Sequence, residues 1–156
     1  MPKQRISREG AAPVGCYRVV IIDDDAEIRA LLAVIIGAER MFTVVGEADN
    51  GATGAELVGK TQPDVVVLDL NMPKTDGLAA LPRLRAVAPG TAVVMLSGND
   101  DPTVQVAAIR GGVSAFLSKG VTLPERLVPV LREVVAEPVI RLDLAEPSAD
   151  TDPAHR

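Results

Sequence analysis

Apolar residues in this chain come in short unbroken runs, each followed by a polar turn and then by a segment with helical period. The densest run is Val65-Val66-Val67-Leu68, mostly β-branched and without alternation, which reads as a strand buried on both faces. It stops at Asp69, and turn chemistry follows at once in Asn71, Pro73, Asp76 and Gly77. Tyr17 to Ile22 is an equivalent run that leads straight into Asp23-Asp24-Asp25. Phe42 to Ala48, Thr91 to Leu96 and Ser114 to Ser118 read as three further strands.

Helical patterns fill the intervals. Ile28, Leu31, Leu32, Ile35 and Ile36 keep the i, i+3, i+4 spacing from Ala26 to about Ala38. Asp24 or Asp25 is placed to cap that helix, and acidic residues there favour its positive end. A short helix at roughly 52 to 60 is closed by Gln62-Pro63. A third, from about Leu78 to Val87, contains Pro82, which removes a helical hydrogen bond. Thr103 to about Arg110 is a fourth, stopped by Gly111-Gly112. Thr122-Leu-Pro-Glu125 has capping-box spacing and opens a last helix to about Glu137. Pro129 inside it costs about 3 kcal/mol if truly interior. Strand and helix thus alternate five times, the signature of a doubly wound parallel α/β sheet.

Residues 1–16 mix basic, small and proline residues without period and read as a flexible leader. The folded domain is expected over 17–137. Residues 138–156 are rich in Pro, Asp, Glu and Ala and read as a disordered acidic tail. With aromatics at only 2%, the core must be aliphatic, and no base-stacking platform is available. A net charge of −5 argues against a broad nucleic-acid footprint. Cys16, the single cysteine, excludes an intrachain disulfide and a thiolate metal cluster. No apolar run is long enough to span a bilayer, and the charged N-terminus is not followed by the apolar segment of a secretory signal. A cytoplasmic location is expected, without membrane association.

Parallel strands bring distant residues to one end of the sheet. Asp23 and Asp24, Asp69, Ser97 and Lys119 all lie at carboxyl ends of strands, where open α/β sheets carry their sites. The second strand offers nothing comparable, as suits an edge strand. Asp69, after the central run, is the candidate reacting residue. Three carboxylates at one place repel unless something positive lies among them. A hard divalent cation suits them, and Mg²⁺ suits one or two carboxylates plus a phosphoryl oxygen. Lys119 supplies a mobile point charge and Ser97 a hydroxyl.

These segments resemble a known family, the receiver domain of two-component response regulators. The resemblance rests on Val-Val-Ile-Ile-Asp23-Asp24-Asp25, on Val-Leu-Asp69-Leu-Asn71-Met72-Pro73-Lys-Thr-Asp76-Gly77, on Val-Val-Met-Leu-Ser97-Gly98 and on Ala-Phe116-Leu-Ser-Lys119. Their order and placement match over about residues 17 to 137. The resemblance implies a flavodoxin-like (βα)5 fold with strand order 2-1-3-4-5. It implies that Asp69 accepts a phosphoryl group from a histidine kinase or phosphotransfer protein. Asp23, Asp24, Asp69 and the main-chain carbonyl of Asn71 would hold Mg²⁺. Ser97 and Lys119 would contact the phosphoryl oxygens, and Phe116 would take the rotating aromatic position of the switch. Such a chain is a self-phosphorylating acceptor, with autodephosphorylation, rather than a conventional turnover enzyme. It would signal to a downstream protein partner, and a homodimer is left open.

Two departures stand out. Gly120 follows the lysine where the family usually has proline. The wording around Asp69 and Phe116 is closest to receivers that precede LuxR-type helix-turn-helix domains, yet the remaining tail is too short and too acidic for one. Output through protein contact, or a fragment of a DNA-binding regulator, would account for that. A receiver-like interaction module independent of phosphorylation is the alternative. A hydrolase resembling haloacid dehalogenases would need an acid where Asn71 stands. A flavin module would need a phosphate loop where the three aspartates stand. Plainer roles are helix capping for Asp23 to Asp25, a turn for Ser97, a solvated charge for Lys119 and core packing for Phe116. Met72 and Met95 read as packing or loop residues, Cys16 as structural or incidental, and His155 as a surface residue.

Overall fold

The alternating runs fold into one parallel sheet. The computed structural model describes residues 16–73, 76–98, 101–136 and 141–142. Its elements are β1 (Tyr17–Ile22), α1 (Ala26–Gly37), β2 (Phe42–Ala48), α2 (Gly51–Thr61), β3 (Val65–Asp69), α3 (Gly77–Val87), β4 (Ala92–Ser97), α4 (Pro102–Arg110), β5 (Ala115–Ser118), α5 (Leu123–Ala136) and β6 (Arg141–Leu142). The order across the sheet is β2-β1-β3-β4-β5-β6, every pair parallel. The expected order 2-1-3-4-5 is therefore present, with β2 at one edge. The two-residue β6 adds to it, pairing Arg141 with Ala115 and Leu142 with Phe116. It falls within the stretch expected to be unstructured; the remainder of 138–156 and residues 1–15 lie outside the described residues.

The unbroken runs are apolar because both faces of the sheet are covered. On one face Val20, Ile22, Val66, Leu68, Met95 and Phe116 pack against α2 and α3 through Val58, Leu81 and Leu84. On the other, Val19, Ile21, Val67, Leu96 and Leu117 meet α1 and α5 through Leu32, Ile36, Leu127 and Leu131. Among the residues of α4 only Ala108 is buried. Met72 and Met95 are buried as packing residues, and Cys16 is buried with its thiol donating to Thr43 Oγ1 at 3.3 Å.

The sequence foretold the cap of α1 but not those of α2, α3 and α4. Asp25 caps α1 by accepting from the N–H groups of Glu27 and Ile28, and Asn50, Asp76 and Asp101 cap α2, α3 and α4. Pro82 and Pro129 do lie inside α3 and α5. Both are exposed, so solvent can reach the Leu78 and Glu125 carbonyls that they leave without a helical donor.

Candidate functional site

Register brings the polar strand ends together. Ile22 stands beside Leu68, so Asp23 and Asp69, the next residues along, come level at the carboxyl edge. Asp69 is the partner of Leu96, and Ser97 the partner of Ser118. Lys119 is anchored there by its own backbone N–H, which donates to the Ser97 carbonyl at 2.7 Å.

The side chains converge as the strands do. Asp23, Asp24 and Asp69 each offer a carboxylate oxygen within 4.8 Å of the others. Lys119 Nζ lies 2.9 Å from Asp69 Oδ1 and 3.2 Å from Asp23 Oδ2. Asp23 and Asp69 are 1% and 2% exposed, whereas Asp24 is open to solvent. The cluster is thus a pair of buried carboxylates bridged by one ammonium, with a third carboxylate at the mouth. Hard oxygen donors in that number suit a divalent cation such as Mg²⁺.

Burial pushes the Asp69 carboxyl up from its ordinary range, and the hydrogen bond and charge of Lys119 do not fully offset it; the nearby Asp23 charge adds to the rise. For Lys119, burial pulls the ammonium down, but the hydrogen bonds and charges of Asp69 and Asp23 outweigh it and the net direction is upward. Lys119 is therefore a permanent cation at neutral pH.

Backbone contacts fix the loops. The Asn71 N–H donates to Asp69 Oδ1 at 3.3 Å, and Asn71 itself is exposed at the start of the β3–α3 loop. Asp23 Oδ1 accepts from the Asp25 N–H at 2.9 Å, turning the chain sharply into α1. Gly77 packs directly under the site: a Cβ there would lie 2.6 Å from the Asp69 carbonyl oxygen and 2.9 Å from Leu70 Cα. Ser97 is fully buried at the end of β4. Phe116 is also fully buried, its ring in the cluster with Met95, Ala108 and Val113. The rotating position expected from the sequence is thus filled by a ring that already points inward. His155 lies outside the described residues.

Arg29 is the site residue that sequence reasoning missed. Its guanidinium donates to the Asp23 carbonyl at 2.7 Å and pairs with Glu47 of β2 at 3.4 Å. A cation near the positive end of a helix is unfavourable on its own. That misplaced charge, five residues after Asp24, was the available signal.

Comparisons with known proteins give the family and the fold. Residues 19–132 match the response regulator receiver domain family. The chain belongs to that family. The nitrate/nitrite response regulator NarL of Escherichia coli is 33% identical over 129 residues, 83% of this chain and 59% of that protein. This chain therefore spans little more than half the length of that relative. Among structures, the NarL receiver domain of Mycobacterium tuberculosis superposes with a TM-score of 0.73 at 31% identity, covering 78% of this chain and 98% of the other. A LuxR-family DNA-binding response regulator of Staphylococcus aureus gives 0.70 at 25% identity, covering 76% and 98%. The likeness to LuxR-type receivers and the five-stranded order 2-1-3-4-5 are both shown. Among the described residues, no helix is long and apolar enough to cross a membrane.

Proposed function

We propose that this receiver is a phosphorylation-controlled switch in which Asp69 is the phosphoacceptor. A carboxylate oxygen of Asp69 attacks the phosphorus of a phosphohistidine on a histidine kinase or phosphotransfer protein. The P–N bond breaks, and the histidine nitrogen leaves with the electron pair and takes up a proton. The chain's work is positioning and charge neutralisation, since the carboxylate needs no covalent activation. Asp23, Asp24, Asp69 and the Asn71 carbonyl would hold Mg²⁺, which supplies charge neutralisation at the phosphoryl oxygens. Lys119 and Ser97 would contact those oxygens.

One observation carries the reading: Lys119 bridges two buried carboxylates while a third lies within reach of both. A structural salt bridge needs one carboxylate, and a helix cap needs no lysine. The downstream partner would meet the α4 side, where Pro102, Thr103, Val106, Ala107 and Arg110 form an exposed face. A cytoplasmic setting follows from the kinase partner.

Intact-mass measurement with acetyl phosphate and Mg²⁺ tests the assignment. A metal-dependent adduct of one phosphate is expected, and it should vanish in Asp69→Asn. An adduct that persists undiminished in that variant would refute Asp69 as the acceptor.

A second reading, an interaction module that signals without phosphorylation, is favoured by the inward Phe116 ring. It requires that beryllofluoride, a phosphoryl mimic, leave the NMR signals of α4 and β5 unmoved. Shifts on that surface exclude it.

A further inference from the structure

We propose that Arg29 is a positioning residue for the divalent cation, pinning the peptide group that joins two of the proposed ligands, Asp23 and Asp24. This role rests on the reading of Asp23, Asp24 and Asp69 as the Mg²⁺ site. The other polar groups of Asp23 are held by neighbours. Its N–H donates to the Ala48 carbonyl at 3.0 Å, Oδ1 accepts from the Asp25 N–H at 2.9 Å, and Oδ2 meets Lys119 Nζ at 3.2 Å. Its carbonyl is the group that regular structure does not serve. The β1–β2 register closes at Ile22 and Ala48, and the α1 ladder begins at the Asp25 carbonyl, which accepts from the Arg29 N–H at 3.0 Å. The Asp23 carbonyl stands between the two, and Arg29 Nη1 donates to it at 2.7 Å. A carbonyl and the N–H that follows it belong to one planar unit. Holding that carbonyl therefore sets the direction in which the chain leaves Asp23 and the point from which the Asp24 side chain departs. Asp24 is exposed, so its aim depends on the backbone more than on packing.

A plain surface ion pair does not account for the arrangement. The Arg29–Glu47 contact is 3.4 Å long, between side chains 21% and 40% exposed, and such pairs contribute little. It also puts a cation where the α1 dipole disfavours one. Glu47 lies in β2, level with Ile21 of β1, so it holds Arg29 Nε from the sheet while Nη1 reaches the loop. A guanidinium is a rigid planar fork, and anchoring one donor orients the others. Charge and position then predict opposite signs. A fixed cation beside the carboxylates repels a second one, so an arginine acting by charge alone would weaken Mg²⁺ binding, and its removal would tighten it. An arginine acting by position does the reverse, because groups that orient metal ligands add to affinity.

Calorimetric titration of the full chain with magnesium chloride reads the sign directly. Arg29→Ala should raise the Mg²⁺ Kd about tenfold or more. Arg29→Lys should recover part of that loss, since an ammonium can reach the carbonyl but lacks the fork that also engages Glu47. Glu47→Ala leaves Arg29 in place without its anchor and should raise the Kd by a smaller factor; it carries the test should Arg29→Ala fold poorly. Urea unfolding of the same proteins in EDTA separates support of the fold from support of the site. An Arg29→Ala protein that binds Mg²⁺ as tightly as wild type, or more tightly, overturns the proposal whatever its urea midpoint. A wild type that takes up no Mg²⁺ overturns the metal reading and the role of Arg29 with it. Affinity lost in Asp24→Asn but kept in both Arg29→Ala and Glu47→Ala refutes the positioning role alone.

Discussion

Replacing Lys119 with methionine removes the cation that, among the described residues, two buried carboxylates share. Methionine keeps most of the length and apolar stem, so the change is chiefly one of charge. Lys119 Nζ stands 2.9 Å from Asp69 and 3.2 Å from Asp23. At an effective dielectric of about 20, each contact carries roughly 5 kcal/mol of bare attraction, most of it offset by desolvation. Deleting one partner of a buried pair typically costs about 3–5 kcal/mol, because the charge left behind keeps its desolvation penalty. The lysine side chain is 25% exposed, so water can partly take its place, and we expect a loss of about 2–4 kcal/mol in metal-free protein. For a domain of this size that lowers Tm by roughly 10 °C. Urea unfolding in EDTA at neutral pH measures the loss. Mg²⁺ should return part of it by linkage, since a cation bound only to the folded state stabilises it. Adding Asp69→Asn to Lys119→Met should also recover stability, because one of the stranded charges is gone. Lowering the pH should shrink the deficit as the folded state takes up protons that the unfolded state still lacks. A Lys119→Met protein as stable as wild type in EDTA would refute the bridging role.

Asp69→Asn alone should raise metal-free stability at neutral pH. The folded-state pKa of Asp69 lies above 3.8, so wild-type stability should fall as pH climbs from about 4 through that raised value, and the variant should lose this part of the slope; equal pH profiles would contradict it. Gly77→Ala should cost about 2 kcal/mol or more, since its Cβ would meet backbone rather than a movable side chain; an unchanged urea midpoint would show that the β3–α3 turn can shift. Amide exchange in α4 should be faster than in α2, α3 and α5, because α4 buries only Ala108; protection in α4 equal to that in α5 would contradict it.

The fold was legible because burial on both faces leaves a strong mark. Val65 to Leu68 could be neither a half-exposed strand nor a long helix, and the first run led straight to a cap at Asp25. Boundaries moved by only a residue or so, as when Gly51 and Thr61 joined α2. The β6 pairing was not legible, since a two-residue edge strand needs no apolar period to form. The set Asp23, Asp24, Asp69 and Lys119 could be placed at one sheet edge from strand order alone. Which of them touch could not, because the Lys119 to Asp23 contact joins residues 96 positions apart. Arg29 escaped notice because its partner is a main-chain carbonyl, which every residue possesses. For Phe116 the strand pattern supplied the position but not the rotamer, which depends on the room left by Ala108 and Val113.

On the proposed reading, the shared lysine also ties metal binding to phosphorylation. One ammonium cannot keep both carboxylates and fully engage a phosphoryl group as well. In the resting site it divides its hydrogen bonds between Asp69 and Asp23, and so partly fills the place of a divalent cation. Phosphorylation makes Asp69 bulkier and more anionic, which draws the lysine toward the new oxygens. Asp23 would then lose the ammonium contact it has among the described residues while remaining 1% exposed, a state that burial strongly disfavours. A cation held by Asp23 and Asp24 removes that penalty. The requirement for Mg²⁺ would therefore be set as much by the carboxylate that the lysine leaves as by the phosphate that it joins.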